Sequence, residues 1–396
     1  MEKLAIEGGT PVRDNLLAYG RQYIDDDDIT AVCDVLRSDF LTTGPTIAQA
    51  ERKLKEITGA EYCVAVSNGT TALHCACMAA GIGPGDEVIT TPITFAASAN
   101  CVLYCGGTPI FADIDGKTWG ISPESIEQCI SPRTKAVIAV DYAGQPCDYD
   151  SIQKICRDNH LLLIEDAAHA IGTKYKGRHV GTIADMTTFS FHPVKTVTSG
   201  EGGAIMCAAA ETDDHLRLAA KHGITHKREL TGTDDGWYYD QILLGTNYRI
   251  TDIQSALLVS QLNKLDLFAR RRRELTQKYT DAFADMPEII LQEEYEGSET
   301  VRHLFVIRLN PDRLRVGRRQ MFDALRAENI GVNVHYIPVY WFPYYQHMGY
   351  RRGICPDAEA LYENIITLPL YYSMTDADAN DVIEAVKKVV AYYGVG

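Results

Sequence analysis

The sequence predicts an α/β fold with a mostly parallel sheet in a large domain, followed by a smaller C-terminal α+β domain. From about residue 60, strand-like and helix-like segments alternate along the chain. The strand-like segments "AVIAV" and "LLLI" are apolar throughout, so helices should cover both of their faces, as in a parallel sheet. With 46% hydrophobic and 23% charged residues, the 396-residue chain has the composition of a packed globular protein.

The first predicted element is a helix in "YIDDDDITAVCDVLRSDFLTTGP" that ends near Ser38, because its aspartates suit a helix N-terminus. The helix "TTALHCACMAAG" should stop at Gly81, since glycine adopts the left-handed conformation that ends helices. The strands predicted in this region are, in chain order, "EYCVAVS", "DEVITT", "TPIFADI", "TKAVIAVDYAG", "HLLLIEDAAHA", "DMTTFSF" and "GGAIMC". The other helices predicted between them are "FAASANCVLYCG", "SPESIEQCI" and "DYDSIQKICRDN".

The C-terminal third has a different pattern. "ITDIQSALLVSQLNKLDLFARRRRELTQKYTDAF" has the apolar period of a long amphipathic stretch that leads into a second domain. Beyond it, "HLFVIRL" and "IGVNVHYI" look like strands, and "RRQMFDALRAEN" and "DADANDVIEAVKKVVAYY" look like helices. We therefore predict an N-terminal arm and large domain over residues 1–265 and a small domain over residues 266–396.

Charge and composition argue against several classes of function. The formal net charge of −15 disfavours a nucleic-acid partner, which requires a basic surface. No apolar run reaches the roughly 18 residues that span a membrane, and the first residues lack the apolar core of a signal peptide. Eleven cysteines without a disulfide-like pattern indicate a reducing compartment, so we expect a cytoplasmic protein. His222 and His226 flank Gly223 without a suitably placed acid, and we expect no metal site.

Two segments place polar groups at strand ends, where the ligands of parallel sheets collect. In "SNGTTAL", Gly69 and Thr70 begin a helix whose free N–H groups could bind an anion, although an ordinary capped turn has the same pattern. In "LLLIEDAAHA", Asp166 could hold a cationic ring nitrogen or a metal, or could cap the next segment. His169, three residues on, could face the same cleft.

A third segment, "FSFHPVKTVTSGEGGAI", places Lys195 between the strands "TTFSF" and "GGAIMC". Lysine forms Schiff bases with aldehydes when its amine is neutral, and Ser190 could donate to an anion. Taken alone, Lys195 could be a solvent-facing loop lysine. Taken together, an anion-binding helix start, a carboxylate for a ring nitrogen and a lysine amine are what pyridoxal phosphate requires.

The sequence resembles the DegT/DnrJ/EryC/StrS sugar aminotransferases, which share the aspartate-aminotransferase-like (type I PLP) fold. The resemblance runs from about residue 19 to the C-terminus. It rests on "SDFLTTGP", "SNGTTALH", "TPITFAASAN", "VDYAGQPCD", "EDAAHAIG", "SFHPVKTVTSGEGGAI", "NYRITDIQSALLVSQL" and "VNVHYIPVY". Within the family, "AYGRQYIDDDDI", "TTPITFAASANCVLYCGG" and "WYYDQILLGTNYRITDIQSAL" look most like the transaminases of pseudaminic acid biosynthesis that form UDP-4-amino-4,6-dideoxy-N-acetyl-β-L-altrosamine.

The resemblance implies pyridoxal 5′-phosphate as cofactor and a role for each matching residue. Lys195 would be the catalytic residue that binds the cofactor covalently, and Asp166 would pair with its pyridine nitrogen. His169 would contact the phenolic oxygen, and Phe95 would lie against the ring. The residues implied for the phosphate are Gly69, Thr70, Ser190 and, across a dimer interface, Asn247. Those implied for the sugar nucleotide are Tyr19, Asp39, Phe40, Leu41, Thr42, Gly69, Ser190, Asn247, Arg249, His335, Tyr336, Ile337 and Pro338.

The activity that the resemblance implies is amino transfer from L-glutamate to C4 of a UDP-linked 4-keto-6-deoxy-N-acetyl sugar, by a homodimer with shared active sites. An aminotransferase for another nucleotide-linked keto sugar, of perosamine or 4-amino-arabinose type, is the alternative. A sugar dehydratase of the same fold would carry histidine in place of Lys195. A further hypothesis is a non-catalytic sensor protein that binds the cofactor. The pseudaminic acid branch usually reads Asn-Ser-Ala-Thr where this chain has "SNGT" (67–70), a departure that affects how close the sugar sits.

Overall fold

The computed structural model describes residues 3–395. Its N-terminal half alternates helices and strands in the predicted order. The elements are α1 (Asp26–Arg37), α2 (Pro45–Thr58), β1 (Tyr62–Val66), α3 (Gly69–Ala79), β2 (Glu87–Thr90), α4 (Ala97–Tyr104), β3 (Thr108–Phe111), α5 (Pro123–Cys129), β4 (Thr134–Val140), α6 (Tyr149–Asp158), β5 (Leu162–Asp166), β6 (Lys174–Tyr175), β7 (Arg178–His179), β8 (Met186–Ser190) and β9 (Gly203–Cys207).

The C-terminal half is richer in helix. Its elements are α7 (Ala210–Ala220), β10 (Ile224–Thr225), α8 (Arg228–Thr231), β11 (Asp240–Gln241), α9 (Asp252–Leu262), α10 (Leu265–Phe283), β12 (Ile289–Leu291), β13 (Phe305–Leu309), α11 (Arg318–Ala327), α12 (Pro343–His347), α13 (Pro356–Asn364), β14 (Ile365–Leu368) and α14 (Asp376–Tyr393). Within the described residues, no helix is long and apolar enough to cross a membrane.

Seven strands form one sheet in the order β1-β9-β8-β5-β4-β2-β3. The pairs β2–β3, β2–β4, β4–β5 and β5–β8 are parallel, and β9 runs antiparallel to both of its neighbours. This confirms the predicted mostly parallel sheet. Asp166 at the end of β5 pairs in register with Val140 on one side and Thr188 on the other. The carboxyl ends of three adjacent strands therefore lie level, which is where a ligand site of such a sheet forms.

Local sequence signals set several helix ends as predicted. The side chain of Asp25 caps α1 in a capping box with Asp28, and Ser38 follows its last turn. After α3, Gly81 adopts a left-handed φ of 65° and ends the helical path.

The long amphipathic stretch predicted before the second domain consists of two helices, α9 and α10, and the amine of Lys264 between them pairs with Asp25, the N-cap residue of α1, and with Asp28 of α1. One expectation was wrong. "IGVNVHYI" forms only isolated bridges, Leu17 to Ile330 and Asn333 to Thr367, so it is not a strand.

A second core lies in the C-terminal half. The antiparallel sheet β12-β13-β14 packs with α10, α11 and α14 around a buried apolar cluster that includes Tyr279, Phe283 and Val386. Leu4 and Leu17 from the N-terminal segment are buried in the same cluster, although we placed that segment with the large domain. The division at residue 265 stays a prediction.

Candidate active site

A cavity of about 490 Å³ opens at the carboxyl ends of β4, β5 and β8. Ten of the candidate site residues line it, and the most distant of them are more than 300 positions apart in the sequence. These ten are Tyr19, Gly69, Thr70, Phe95, Asp166, His169, Ser190, Lys195, His335 and Tyr336.

Asp166 is the buried acid of the cavity, with 4% of its surface exposed. Its Oδ2 accepts a 2.6 Å hydrogen bond from the hydroxyl of Ser98, and its Oδ1 accepts from the amide of Ala168 at 3.2 Å. Burial raises the pKa of Asp166, while the hydrogen bonds from Ser98 and Ala168 and the charge of Lys195 oppose that rise. A buried carboxylate supported in this way suits a cationic partner such as a protonated ring nitrogen.

Lys195 lies in the connection from β8 to β9, which folds back on itself. The amide of Phe191 donates to the carbonyl of Gly202 at 2.8 Å, and the amide of Ser199 donates to the carbonyl of Phe191 at 3.0 Å. The side chain of Lys195 in this closed loop lines the cavity and does not lie on a solvent-facing turn. Burial lowers the pKa of Lys195 to about 8, and the nearby charge of Asp166 acts in the opposite direction. The amine is thus prepared for nucleophilic attack on an aldehyde.

The first turn of α3 forms the anion-binding end of the cavity. Asn68 caps the helix by accepting from the amide of Thr71 at 2.9 Å, which leaves the amides of Gly69 and Thr70 without intrahelical acceptors. A Cβ at position 69 would lie 2.8 Å from the Cβ of Ser190. Glycine at this position, where the pseudaminic acid branch usually has alanine, therefore allows the Ser190 hydroxyl to lie against the helix start.

His169 is held from two sides. Its Nδ1 accepts from the amide of Ala143 at 3.2 Å, and its Nε2 lies 3.1 Å from the hydroxyl of Tyr336. Because Nδ1 accepts, the proton of the neutral ring resides on Nε2, and the Tyr336 oxygen accepts it. Burial, together with the charges of Lys195 and His335, lowers the pKa of His169 well below its usual range. Both ring nitrogens are engaged, so the contact of His169 with a phenolic oxygen stays a prediction.

The far wall of the cavity is aromatic. The ring of Tyr19 lies 5.5 Å from that of His335, and the ring of Phe95, which is 63% exposed, lies 6.4 Å from that of Tyr336. The Nδ1 of His335 lies 2.9 Å from the hydroxyl of Thr367, and burial lowers the pKa of His335 to about 4. His335 is therefore neutral near pH 7 and offers no positive charge to a diphosphate.

The remaining selected residues do not line this cavity of the single chain. Residues 39–42 are exposed, as are Asn247 and Ile337, whereas Pro338 is buried outside the cavity. The backbone of Arg249 forms an isolated antiparallel β-bridge with Val66, the last residue of β1, which precedes the helix start of α3. Their binding roles stay predictions.

Arg249 lies three positions before Asp252, close enough in sequence to form an ion pair with it. That pairing does not occur, because both carboxylate oxygens of Asp252 accept from backbone amides, those of Gly44 at 2.7 Å and Thr46 at 2.9 Å. Arg249 is half-buried and no ion pair ties it to this acid.

Sequence reasoning missed several residues of the cavity. Ser98 stands within the segment "TPITFAAS", but only the tertiary structure shows that its hydroxyl holds Asp166. Thr94 supports it, with 2.7 Å between the two hydroxyl oxygens. Thr188 and His303 also line the cavity, and the polar first residue of the predicted strand "HLFVIRL" was the available signal for His303.

The residues present fit pyridoxal phosphate. The helix start with Ser190 supplies donors for a phosphate, Asp166 supplies a buried carboxylate for the ring nitrogen, and Lys195 supplies an amine of lowered pKa for the aldehyde carbon. Among residues 3–395, no group of three or more histidine, cysteine or acidic side chains could hold a metal ion.

Comparison with known proteins agrees with this geometry. Residues 22–387 match the DegT/DnrJ/EryC1/StrS aminotransferase family. The spore coat polysaccharide biosynthesis protein SpsC of Bacillus subtilis (strain 168) is 40% identical over 381 residues, which cover 96% of this chain and 98% of that protein.

Solved structures give the same result. Helicobacter pylori PseC, an aminotransferase involved in the biosynthesis of pseudoaminic acid, superposes with a TM-score of 0.89 at 30% identity and covers 96% of this chain and 100% of its own. The PLP-form of Spr1654 from Streptococcus pneumoniae superposes with a TM-score of 0.89 at 31% identity, over 95% of this chain and 99% of its own.

Proposed function

The chain belongs to the DegT/DnrJ/EryC1/StrS aminotransferase family and is a pyridoxal phosphate-dependent enzyme; from this premise we propose that it transfers an amino group from L-glutamate to C4 of a UDP-linked 4-keto-6-deoxy-N-acetyl sugar. One observation carries the proposal: the amine of Lys195, the buried carboxylate of Asp166 and the open helix start at Gly69 meet in one cavity. The likeness to the pseudoaminic acid enzyme PseC supports the choice of sugar.

When bound, the cofactor supplies an electron sink beside the carbon that exchanges its amino group. Asp166 keeps the ring nitrogen protonated, because a buried carboxylate favours a cation next to it. The hydroxyl of Ser98, 2.6 Å from Oδ2, orients that carboxylate. Lys195 holds and moves protons at its Nζ, since an amine with a pKa of about 8 exchanges readily near neutral pH.

The sugar nucleotide has to bind to a strongly acidic protein. Neither His335 nor Tyr340 can offset the diphosphate charge, because His335 is neutral near pH 7 and Tyr340 is fully buried with its hydroxyl donating to Glu359 at 2.5 Å. Arg249 can supply a positive charge, because no described acid pairs with its guanidinium.

We assign Arg249 and Asn247 to the active site of a partner subunit in a homodimer. Asn247 is exposed, Arg249 is half-buried, and neither lines the cavity of its own chain. The adjoining segment 39–42 is exposed as well and includes the apolar side chains of Phe40 (52% exposed) and Leu41 (48% exposed). In a dimer, a second copy would bury Phe40 and Leu41. Asn247 and Arg249 of each subunit would then lie at the active site of the other subunit.

Subunit mixing tests the shared site. An inactive Lys195→Ala variant mixed with an inactive Asn247→Ala variant should regain partial activity, because hybrid dimers contain one site with both native residues. Dimer exchange is verified by mass spectrometry of differently tagged chains. Exchange without any recovered activity would contradict the shared site.

The reaction itself is tested in two steps. Purified enzyme loaded with pyridoxal phosphate should lose its visible absorption when L-glutamate is added, and subsequent addition of the UDP-keto sugar should restore it and yield the 4-amino sugar. Lys195→Ala is the control, which should fold normally but show neither change. Absence of any response to glutamate would overturn the aminotransferase reaction on this donor. A normal response to glutamate with amination only of another nucleotide-linked keto sugar would overturn the sugar assignment alone.

A further inference from the structure

His303 is a cavity residue that the roles above leave unassigned. Its side chain is 5% exposed and lines the same cavity as Lys195. Its Nδ1 is buried without a hydrogen-bond partner, and neither ring nitrogen forms a hydrogen bond within residues 3–395. Buried polar side chains are nearly always paired, since an unpaired one loses its hydrogen bonds to water without replacement. Nδ1 has almost no accessible surface, so the atom of this ring that a ligand in the cavity can pair with is Nε2.

Hydrogen bonds hold the backbone of His303 in place, which limits the positions that its ring can take. Its amide donates to the carbonyl of Ala143 at 2.9 Å, while the amide of Ala143 donates to Nδ1 of His169. The backbone of Ala143 thereby contacts both histidines, whose ring centroids are 4.6 Å apart. The buried guanidinium of Arg272 donates to the carbonyl of His303 at 3.2 Å. Such a pre-set ring can bind a ligand with little loss of conformational entropy.

The charge state of His303 narrows the class of ligand. Burial, together with the charges of Lys195 and His169, lowers its pKa well below the usual range, so the ring is neutral near pH 7. A neutral imidazole has one donor and one acceptor. A hydroxyl group, which can also donate and accept, is complementary to it, whereas a carboxylate would require a cation.

We propose that His303 binds the hydroxyl group at C3 of the keto sugar. This inference rests on the proposed function. In a UDP-linked 4-keto-6-deoxy sugar with an acetamido group at C2, the other ring carbons carry UDP, the keto group or the ring oxygen, so C3 bears the free hydroxyl. That hydroxyl is adjacent to the reacting carbon C4, which must approach Lys195, and His303 shares the cavity with this lysine.

The experiment measures the two half-reactions separately by stopped-flow absorption. His303→Leu should lower kcat/KM for UDP-2-acetamido-2,6-dideoxy-4-keto-hexose by roughly 5- to 150-fold, the equivalent of one unpaired hydrogen bond. The half-reaction with L-glutamate, which has no hydroxyl, should change less than about twofold. His303→Asn, which keeps a donor and an acceptor, should lose less than the leucine variant. His347→Leu, at an exposed position outside the cavity, is the matched control for histidine loss.

A 3-deoxy analogue of the sugar identifies the contact. The kcat/KM of the wild-type enzyme should fall about as much with the analogue as the kcat/KM of His303→Leu falls with the normal sugar. The kcat/KM of the variant should not fall further with the analogue. Additive losses, or equal losses in both half-reactions, would overturn the inference. If the leucine variant does not fold, the same comparison is made with His303→Ala, whose side chain also lacks a donor and an acceptor. Wild-type enzyme that responds to glutamate but does not aminate this sugar would overturn the sugar assignment and this inference with it.

Discussion

The amine of Lys195 in the cofactor-free enzyme should titrate near pH 8. Burial disfavours the ammonium form and lowers the pKa from 10.5 to about 8, although the charge of Asp166 opposes this change. At about pH 7.5, about a quarter of such amines are neutral, compared with about 0.1% for an ordinary lysine, which is a gain of roughly 200-fold. The neutral fraction therefore rises through about pH 8, and covalent capture of the cofactor should follow the same curve.

Competitive acetylation checks this value directly. Cofactor-free enzyme is treated with a trace of labelled acetic anhydride at a series of pH values, and the labelling of the Lys195 peptide is compared with that of the exposed Lys221 by mass spectrometry. In Asp166→Asn the midpoint for Lys195 should fall below that of the wild type, because the carboxylate that favours the ammonium is gone. A wild-type midpoint near 10.5, or a rise in the asparagine variant, would refute the reasoning.

Three further predictions concern the same cavity. Asp166→Asn should still bind cofactor, by absorption, but should lower kcat about 100-fold or more, because a neutral amide stabilises the cationic ring poorly; near-normal turnover would contradict its role. Gly69→Ala should weaken cofactor binding about tenfold, because the added Cβ would lie 2.8 Å from that of Ser190. Its control is Gly116→Ala, whose added Cβ would have no atom within 4 Å. Equal Kd values for the cofactor in titrations of both variants would count against a role of Gly69 in cofactor binding. Arg249→Ala should raise KM for the sugar nucleotide roughly 10- to 150-fold while KM for glutamate changes less; equal losses with a lower Tm would indicate a structural role.

The sequence alone determined the features that depend on local pattern. Apolar runs identified the strands of the parallel sheet, and the order of strand and residue type placed Asp166 at the end of β5 and Lys195 between β8 and β9. Capping residues such as Asp25 and left-handed glycines such as Gly81 marked helix ends, because those effects act within one turn. The order of the quoted motifs along the chain also identified the aminotransferase family, since several of these motifs directly follow a predicted strand.

Tertiary structure decided which distant side chains meet. Ser98 holds Asp166 across 68 positions of sequence, and His303 reaches His169 from the segment just before β13, although neither contact has a periodic signal. The ion pair of Lys264, which lies between α9 and α10, with Asp28 of α1 is likewise a contact between distant segments. Burial then set the chemistry, because the lowered pKa values of Lys195 and His303 come from desolvation by residues that pack around them. Desolvation depends on the complete packing of the chain, and hence on contacts that no single segment encodes.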